Sequence, residues 1–110
     1  MLIYKIVPRD EWENVTDAWH GSAHDRADGF LHFSTCAQLP ETLKRHYAGQ
    51  SGLVLVAVEA ESLGGGLKWE LAPKRGEDFP HLYAALPKSA VLWTTPLHQD
   101  AKGDFLLPPE

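Results

Sequence analysis

Residues 53–58, which read LVLVAV, limit how this chain can fold more than any other stretch, because they present apolar side chains to both sides. Short apolar runs rich in β-branched residues are typical of strands buried on both faces. We therefore expect this segment to be the central strand of a sheet. It is far shorter than the roughly 20 residues that a membrane-spanning helix needs, so the sequence predicts no association with a membrane.

Length and composition favour one compact domain. The chain has 110 residues, of which 44% are hydrophobic, and this leaves no room for a second core of useful size. We expect the domain to occupy residues 1–98 and residues 99–110 to form a C-terminal tail whose apolar residues 105–107 could dock. The N-terminus lacks the layout of a signal peptide and the single Cys36 cannot form an internal disulfide, so we expect a cytoplasmic protein.

The charge pattern bears on partners. The formal net charge is −5, and the lysines and arginines are scattered along the chain. Affinity for nucleic acid usually depends on a concentrated basic surface. The sequence therefore argues against DNA and RNA as partners and leaves a small molecule as the expected one.

Turn-forming residues divide the chain into short elements. Alternating or β-branched patterns predict strands or extended segments at residues 2–7, 30–33, 67–71, 79–86 and 90–97, in addition to the central one. Capping signals and apolar residues on one side predict two helices, the first at residues 10–19 and the second from residue 35 or 40 to residue 48. Polar composition predicts a loop at residues 20–28. Five or six strands and two helices without sustained βαβ alternation indicate an α+β fold with a mostly antiparallel sheet.

The stretch GFLHFST, residues 29–35, carries a polar side chain inside an apolar strand pattern. His32 is either a hydrogen-bonded interior group or a contact to a ligand. Ser34 and Thr35 are either capping residues of the next helix or ligand contacts, and one geometry could serve both, because helix N-termini favour anions.

A second stretch, FPHLYAAL at residues 79–86, pairs a histidine with a tyrosine. His81 and Tyr83 lie on the same side of an extended segment, so they could point together into a cleft or simply shape a turn and a core edge. Glu70, in the strand pattern LKWEL, is a candidate carboxylate, with a solvated strand face as its alternative interpretation. We expect His32, His81 and Tyr83 to converge on one cleft that also receives Ser34 or Thr35.

Other chemistries receive less support. Cys36 could be a nucleophile near a helix N-terminus, but a free cysteine is more often a small buried hydrophobe. His20, His24, Asp25 and Asp28 include metal-ligand residue types, but their spacing needs a helix and this loop shows no helical pattern, so we expect no metal. Glycines 64–66 match neither nucleotide-binding fingerprint.

The segments IYKIVP, GFLHFST with its following glutamine, LVLVAVEAESL, KWE, FPHLYAAL and AVLWTTPL together resemble the family called domain of unknown function 952, over residues 3–97. The resemblance implies a split, antiparallel-rich sheet similar to that of ADP-ribosyltransferases and RNA 2′-phosphotransferases, which use NAD. A shared fold does not by itself assign an activity.

Carried over by position, the resemblance implies particular roles. His32 falls in the recognition position of the second strand, and Glu70 is the nearest counterpart of the glutamate that orients the nicotinamide ribose. Two positions depart from the family pattern, because Lys5 stands where the family usually has histidine and Ala84 stands where it has glycine. A lysine could contact ribose hydroxyls or phosphate, but it has no acceptor and cannot copy a neutral imidazole.

These arguments define two hypotheses for function. The first is an NAD-dependent ADP-ribosyl or phosphoryl transferase that binds NAD or a related nucleotide and needs no metal. The second is a non-catalytic domain that binds or senses a small ligand on the same fold. The predicted catalytic residues are His32, His81 and Glu70, and the predicted ligand contacts are Lys5, Ser34, Thr35 and Tyr83.

Overall fold

The structure is a computed structural model, and it describes residues 1–108. Within these residues the chain forms ten β-strands and three α-helices, so the strands outnumber the five or six that we expected. Short pairings of two residues account for the excess, and such pairings carry too little pattern to be seen in a sequence. The fold is a small single-domain α+β arrangement in which every strand pair is antiparallel.

The first sheet contains the predicted central strand. Strand β4 (Leu53–Glu59) lies between β1 (Leu2–Pro8) and β8 (Val91–Pro96). Residues 53–58 are all buried, which confirms the interpretation of LVLVAV as a strand covered on both faces.

Each face of this sheet supports its own apolar cluster. On one face Ile3 and Val7 of β1 pack with alternate residues of β4, and on the other face Tyr4 and Ile6 pack with the remaining ones. Because side chains alternate along a strand, Lys5 lies on the first face, between Ile3 and Val7. A charged residue therefore enters one of the two cores.

The second sheet carries the two histidine motifs. Strand β6 (Glu77–Leu82) lies between β3 (Leu31–His32) and β5 (Leu67–Ala72). Reciprocal backbone hydrogen bonds between Tyr4 and Ser34, of 2.8 and 2.9 Å, join the edge strand β1 to the chain just after β3. This bridge fixes how the two sheets meet, and the candidate site lies where they meet.

The predicted helix at residues 10–19 is wrong beyond Glu13. Helix α1 spans Arg9–Glu13, and the chain then turns into strand β2 (Ala18–Trp19), which pairs with β7 (Leu86–Pro87). The residues of α1 are exposed or half-buried, whereas Trp19 is buried in the first core. Tertiary packing of Trp19 therefore outweighs the helical spacing of the apolar residues.

The predicted loop at residues 20–28 is also wrong, because it contains helix α2 (Ala23–Asp28). A capping box starts this helix: Ser22 Oγ accepts from the Asp25 N–H at 3.1 Å, and Asp25 Oδ2 accepts from the Ser22 N–H at 3.0 Å. Gly29 ends it with a positive φ of 86°. The sequence shows both end signals but has no apolar stripe between them, and for this reason periodicity missed the helix.

Helix α3 spans Leu39–His46 and packs Leu39 and Leu43 on the second core. It begins near Pro40, the later of the two predicted starts, and ends two residues before the predicted residue 48. Part of the predicted tail is also ordered, since β9 (His98–Gln99) pairs with β10 (Phe105–Leu106). Phe105 and Leu107 pack against the second core while Leu106 is exposed; residues 109–110 of the predicted tail lie outside the described residues.

The helices bear on the expectation about membranes. Within residues 1–108, none of them combines the length and the apolar character needed to cross a bilayer.

Gly21 provides a test of how tightly the segment before α2 is packed. Its φ is +102°, and a Cβ placed there would lie 2.7 Å from Leu31 Cδ2 and 2.8 Å from Asp25 Cβ. Gly49 also has a positive φ, of +78°, but a Cβ there would meet nothing within 4 Å. We expect Gly21→Ala to lower the free energy of unfolding by about 1–3 kcal/mol more than the control Gly49→Ala, because it adds overpacking to backbone strain. Equal losses in urea denaturation would contradict this account of the packing.

Candidate functional site

A cavity of about 400 Å³ opens where the two sheets meet helix α3. This volume lies within the range typical of small-molecule sites. Its apolar lining is Tyr4, Ile6, Phe33, Tyr47, Ala72 and Phe79. Its polar lining is His24, His32, Ser34, Thr42, His46, Arg75 and His81.

Two histidines from different motifs form one wall of the cavity. His32 of β3 lies directly opposite His81 of β6 in the antiparallel register, so both side chains project from the same face of the sheet. Their ring centroids are 5.6 Å apart. The structure thus brings together two side chains that are 49 residues apart in the sequence.

His32 is held by carboxylates at both ring nitrogens. Its Nδ1 atom lies 2.6 Å from Asp25 Oδ1, and its Nε2 atom lies 2.9 Å from Asp28 Oδ2. The backbone N–H of His32 also donates to Asp25 Oδ1, at 3.1 Å. The ring orientation is therefore fixed from the buried side by Asp25.

Asp25 in turn is paired with Lys5 in the protein interior. Lys5 Nζ lies 2.8 Å from Asp25 Oδ2, and the two side chains are 4% and 2% exposed. Burial alone would raise the pKa of the Asp25 carboxyl, but the hydrogen bond from His32 and the charge of Lys5 outweigh burial and hold this pKa well below its usual range. Burial lowers the pKa of the Lys5 ammonium, and the Asp25 charge opposes that shift.

His81 has a carboxylate partner of its own. Its Nδ1 atom lies 2.9 Å from Glu70 Oε1, and the Tyr83 hydroxyl donates to the same oxygen at 2.6 Å. The hydrogen bonds from Tyr83 and then from His81 lower the pKa of the Glu70 carboxyl, and the same contact raises the pKa of Tyr83. Glu70 and Tyr83 lie behind His81, outside the residues that line the cavity.

Phe30 packs against three of these rings. Its centroid lies 4.0 Å from that of His81 in a stacked arrangement, 4.6 Å from that of His32 and 5.2 Å from that of Tyr83. It therefore helps to keep the two imidazoles apart and oriented.

The facing part of the cavity is cationic. Arg75 donates from Nη1 to Thr42 Oγ1 at 3.0 Å, and its guanidinium carbon lies 4.5 Å from the centre of the Phe79 ring. Its Nε atom forms an ion pair of 2.8 Å with Glu41. Burial and then the charge of Arg75 lower the pKa of His46, which also lines the cavity.

The structure separates the predicted ligand contacts into two groups. Ser34 lines the cavity, with its Oγ 3.2 Å from Thr42 Oγ1. Thr35 instead stabilises the turn before α3, where its N–H donates to Gln38 Oε1 at 3.0 Å and its Oγ1 accepts from the Gln38 N–H at 3.3 Å. Lys5 points to the face of β1 opposite the cavity-lining Tyr4.

Several site residues escaped sequence reasoning. Asp25 has a signal that could have identified its structural role, since Ser22 and Asp25 have the spacing of a capping box. Arg75 lies in a charged loop, and its place in the cavity follows from tertiary structure alone. Cys36, considered as a nucleophile, is half-buried against the second core.

A family model described as "Protein of unknown function (DUF952)" matches residues 6–94. The chain therefore belongs to this family, as the motifs indicated. No match was found among functionally curated proteins.

Solved structures of a bacterial protein share the fold. The chain is 46% identical to protein CC0527 from Caulobacter crescentus in its crystal structure, with a TM-score of 0.90 over 96% of this chain and 94% of that chain. For the solution NMR structure of CC0527 the identity is 48% and the TM-score 0.83, over 94% of this chain and 90% of that chain.

The buried ion pair makes a prediction about stability. Replacement of Asp25 by Asn removes the charge that compensates Lys5, and breaking one partner of a buried pair typically costs about 3–5 kcal/mol. The control Asp28→Asn removes a partly exposed contact to the same histidine and should cost about 1 kcal/mol or less. Urea denaturation measures the loss in the free energy of unfolding for each variant. Similar losses would mean that the buried ion pair between Lys5 and Asp25 stabilises the fold no more than the partly exposed contact does.

Proposed function

We propose that the cavity binds NAD or a related nucleotide, and that the protein is an ADP-ribosyltransferase-like enzyme acting on it. One observation carries the proposal: His32 and His81, each anchored by a carboxylate, face a cavity whose other walls hold a guanidinium and aromatic rings. A pocket of this size that combines apolar walls with a few convergent polar side chains is the usual location of a binding or catalytic site.

The lining suits the parts of a nucleotide. Arg75 supplies a cationic donor for a pyrophosphate, and the histidines supply ring nitrogens for further hydrogen bonds. Tyr47 and Phe79 supply aromatic surface on which a base or a nicotinamide ring could stack. The volume of about 400 Å³ accommodates part of a dinucleotide, and the remainder would extend through the opening.

The hydrogen bonds suggest a role for each side chain. Because Glu70 engages His81 Nδ1, the Nε2 atom of His81 is the one that can accept a proton from an attacking hydroxyl. In ADP-ribosyl transfer that oxygen forms a bond to the ribose carbon, the bond to nicotinamide breaks, and nicotinamide leaves with the electron pair. The negative charge of Glu70 acts through His81, because it favours the imidazolium that forms when His81 accepts the proton, and His32 holds the ligand beside His81.

The fold assignment forms part of the proposal. Two antiparallel sheets that meet at the bridge between Tyr4 and Ser34 resemble the split sheet of the ADP-ribosyltransferases. The position of GFLHFST at that junction agrees with the role that the resemblance implies for His32.

One observation favours the alternative of a non-catalytic binding or sensing domain. Lys5, at the family's first-strand position, is buried in an ion pair on the opposite face of β1 from the cavity. The first strand then contributes no charged group to the ligand, and binding could proceed without catalysis.

Calorimetric titration with NAD, ADP-ribose and nicotinamide tests binding. We expect His32→Ala to weaken binding of NAD by about 1–3 kcal/mol, because a hydrogen bond and ring packing are lost together. The control His98→Ala changes an exposed histidine in β9 and should leave affinity unchanged. If the native protein binds neither NAD nor ADP-ribose at millimolar concentration, the nucleotide proposal is wrong.

Release of nicotinamide, followed by chromatography with water as the acceptor, separates the enzyme from the binding module. We expect Glu70→Gln to lower turnover by about 100-fold with little change in affinity, because the carboxylate acts mainly when His81 takes up the proton in the transition state. Glu13→Gln, an exposed change in α1, serves as the matched control. Nucleotide binding without any release of nicotinamide would favour the binding module.

A further inference from the structure

We infer that His24, Asp28 and His32 form a binding site for a divalent first-row transition metal ion at the wall of the cavity. One potential ligand atom from each of these residues lies within 4.8 Å of the others. Metal binding here does not depend on the proposed nucleotide activity and can be tested without it.

Helix α2, which the sequence did not predict, assembles two of the ligands. His24 and Asp28 are four residues apart on this helix, so their side chains emerge from the same face. The turn at Gly29 then brings the chain back into β3, where His32 Nε2 lies 2.9 Å from Asp28 Oδ2. We expected no metal because the sequence shows no helical pattern at residues 20–28. Helix α2 lies within this segment, so that objection no longer holds.

The spacing of the ligand atoms is close to what a metal ion requires. Bonds of about 2.0–2.1 Å in a tetrahedral site separate neighbouring ligand atoms by about 3.3 Å. Two of the three separations, 2.9 Å from His32 Nε2 to Asp28 Oδ2 and 3.6 Å from His24 Nε2 to the same oxygen, lie on either side of this value, and the third is within 4.8 Å. The His24 side chain is 74% exposed and its ring stacks on that of His32 with 4.6 Å between the centroids, so the rotation that closes the site would shift this ring contact on an otherwise exposed side chain.

The environment of His32 is that of a metal ligand with outer support. Ligating histidines usually donate their second ring nitrogen to a carboxylate, which fixes the ring and increases its basicity. Here Nδ1 lies 2.6 Å from Asp25 Oδ1, and Asp25 is itself fixed by Lys5 at 2.8 Å. This buried support leaves Nε2 directed at Asp28 and available to a metal.

The ligand set indicates which ions would bind. Two imidazoles and one carboxylate suit Zn²⁺, Co²⁺ and Ni²⁺, whereas Ca²⁺ and Mg²⁺ prefer sites made of oxygen ligands. Three protein ligands leave at least one coordination position for water or a ligand oxygen. Because His24 and His32 line the cavity, that position would face the same space as His81.

A bound ion would change the chemistry available to His32. The lone pair of His32 Nε2 would bind the ion, and its contact with Asp28 would be replaced by bonds from both groups to the metal. An anionic group in the cavity would then meet a Lewis acid beside the imidazole.

Calorimetric titration of the tag-free full chain with Zn²⁺, and Co²⁺ absorption spectroscopy, test the site. We expect one ion per chain and a Co²⁺ spectrum of low coordination number. His24→Ala and Asp28→Asn should each weaken binding by about 10-fold or more. His20→Ala is the matched control, because His20 is an exposed histidine outside the cavity lining and should leave affinity unchanged.

Circular dichroism of each variant confirms that a loss of binding is not a loss of fold. The inference is overturned if the native chain binds neither ion at micromolar concentration, or if His24→Ala and Asp28→Asn bind as the native chain does. It is also overturned if His20→Ala is the variant that loses binding, since that outcome assigns the ion to a different surface.

Discussion

The candidate site depends on one buried carboxylate. Asp25 accepts hydrogen bonds from the Ser22 backbone, from the backbone and ring of His32, and from Lys5. A carboxylate in the interior is stable only when its oxygens are satisfied, and these four donors satisfy them. The same carboxylate thus caps helix α2, orients His32 and compensates the charge of Lys5. A substitution at Asp25 would therefore disturb all three.

A second constraint comes from the way the histidine motifs share a strand pair. Antiparallel register sets His32 opposite His81, and Phe30 fills the space beside both rings. The loop between β5 and β6 supplies Arg75 to the facing wall. The histidines are thus built on regular strands, where their positions are well determined, while the cationic wall depends on the packing of a loop against Phe79.

Sequence patterns predicted the parts of this molecule that depend on local order. The strand at residues 53–58, the family and the meeting of His32 and His81 at one cavity all follow from short motifs, because apolar runs and strand alternation act over a few residues. The helix at residues 23–28 was missed, since it is stabilised by its caps and by Asp25 rather than by an apolar stripe. The end of α1 and the position of Arg75 depend on contacts between distant segments, such as the burial of Trp19, which no local pattern encodes. Lys5 is one of the predicted ligand contacts, but its ammonium is buried in an ion pair with Asp25, which lies 20 residues away in the sequence.

The contacts of strand β1 determine how much of the domain must unfold before this strand can open. It contributes Ile3 to one core and Tyr4 to the other, while Lys5 supports the site and the Tyr4 backbone holds the second sheet. Opening of this strand at residues 3–6 would expose apolar surface on both faces and leave Asp25 without its cation. The amides of Tyr4 and Ser34 should therefore exchange with solvent only when the whole domain unfolds, and the site would belong to the most slowly exchanging part of the molecule.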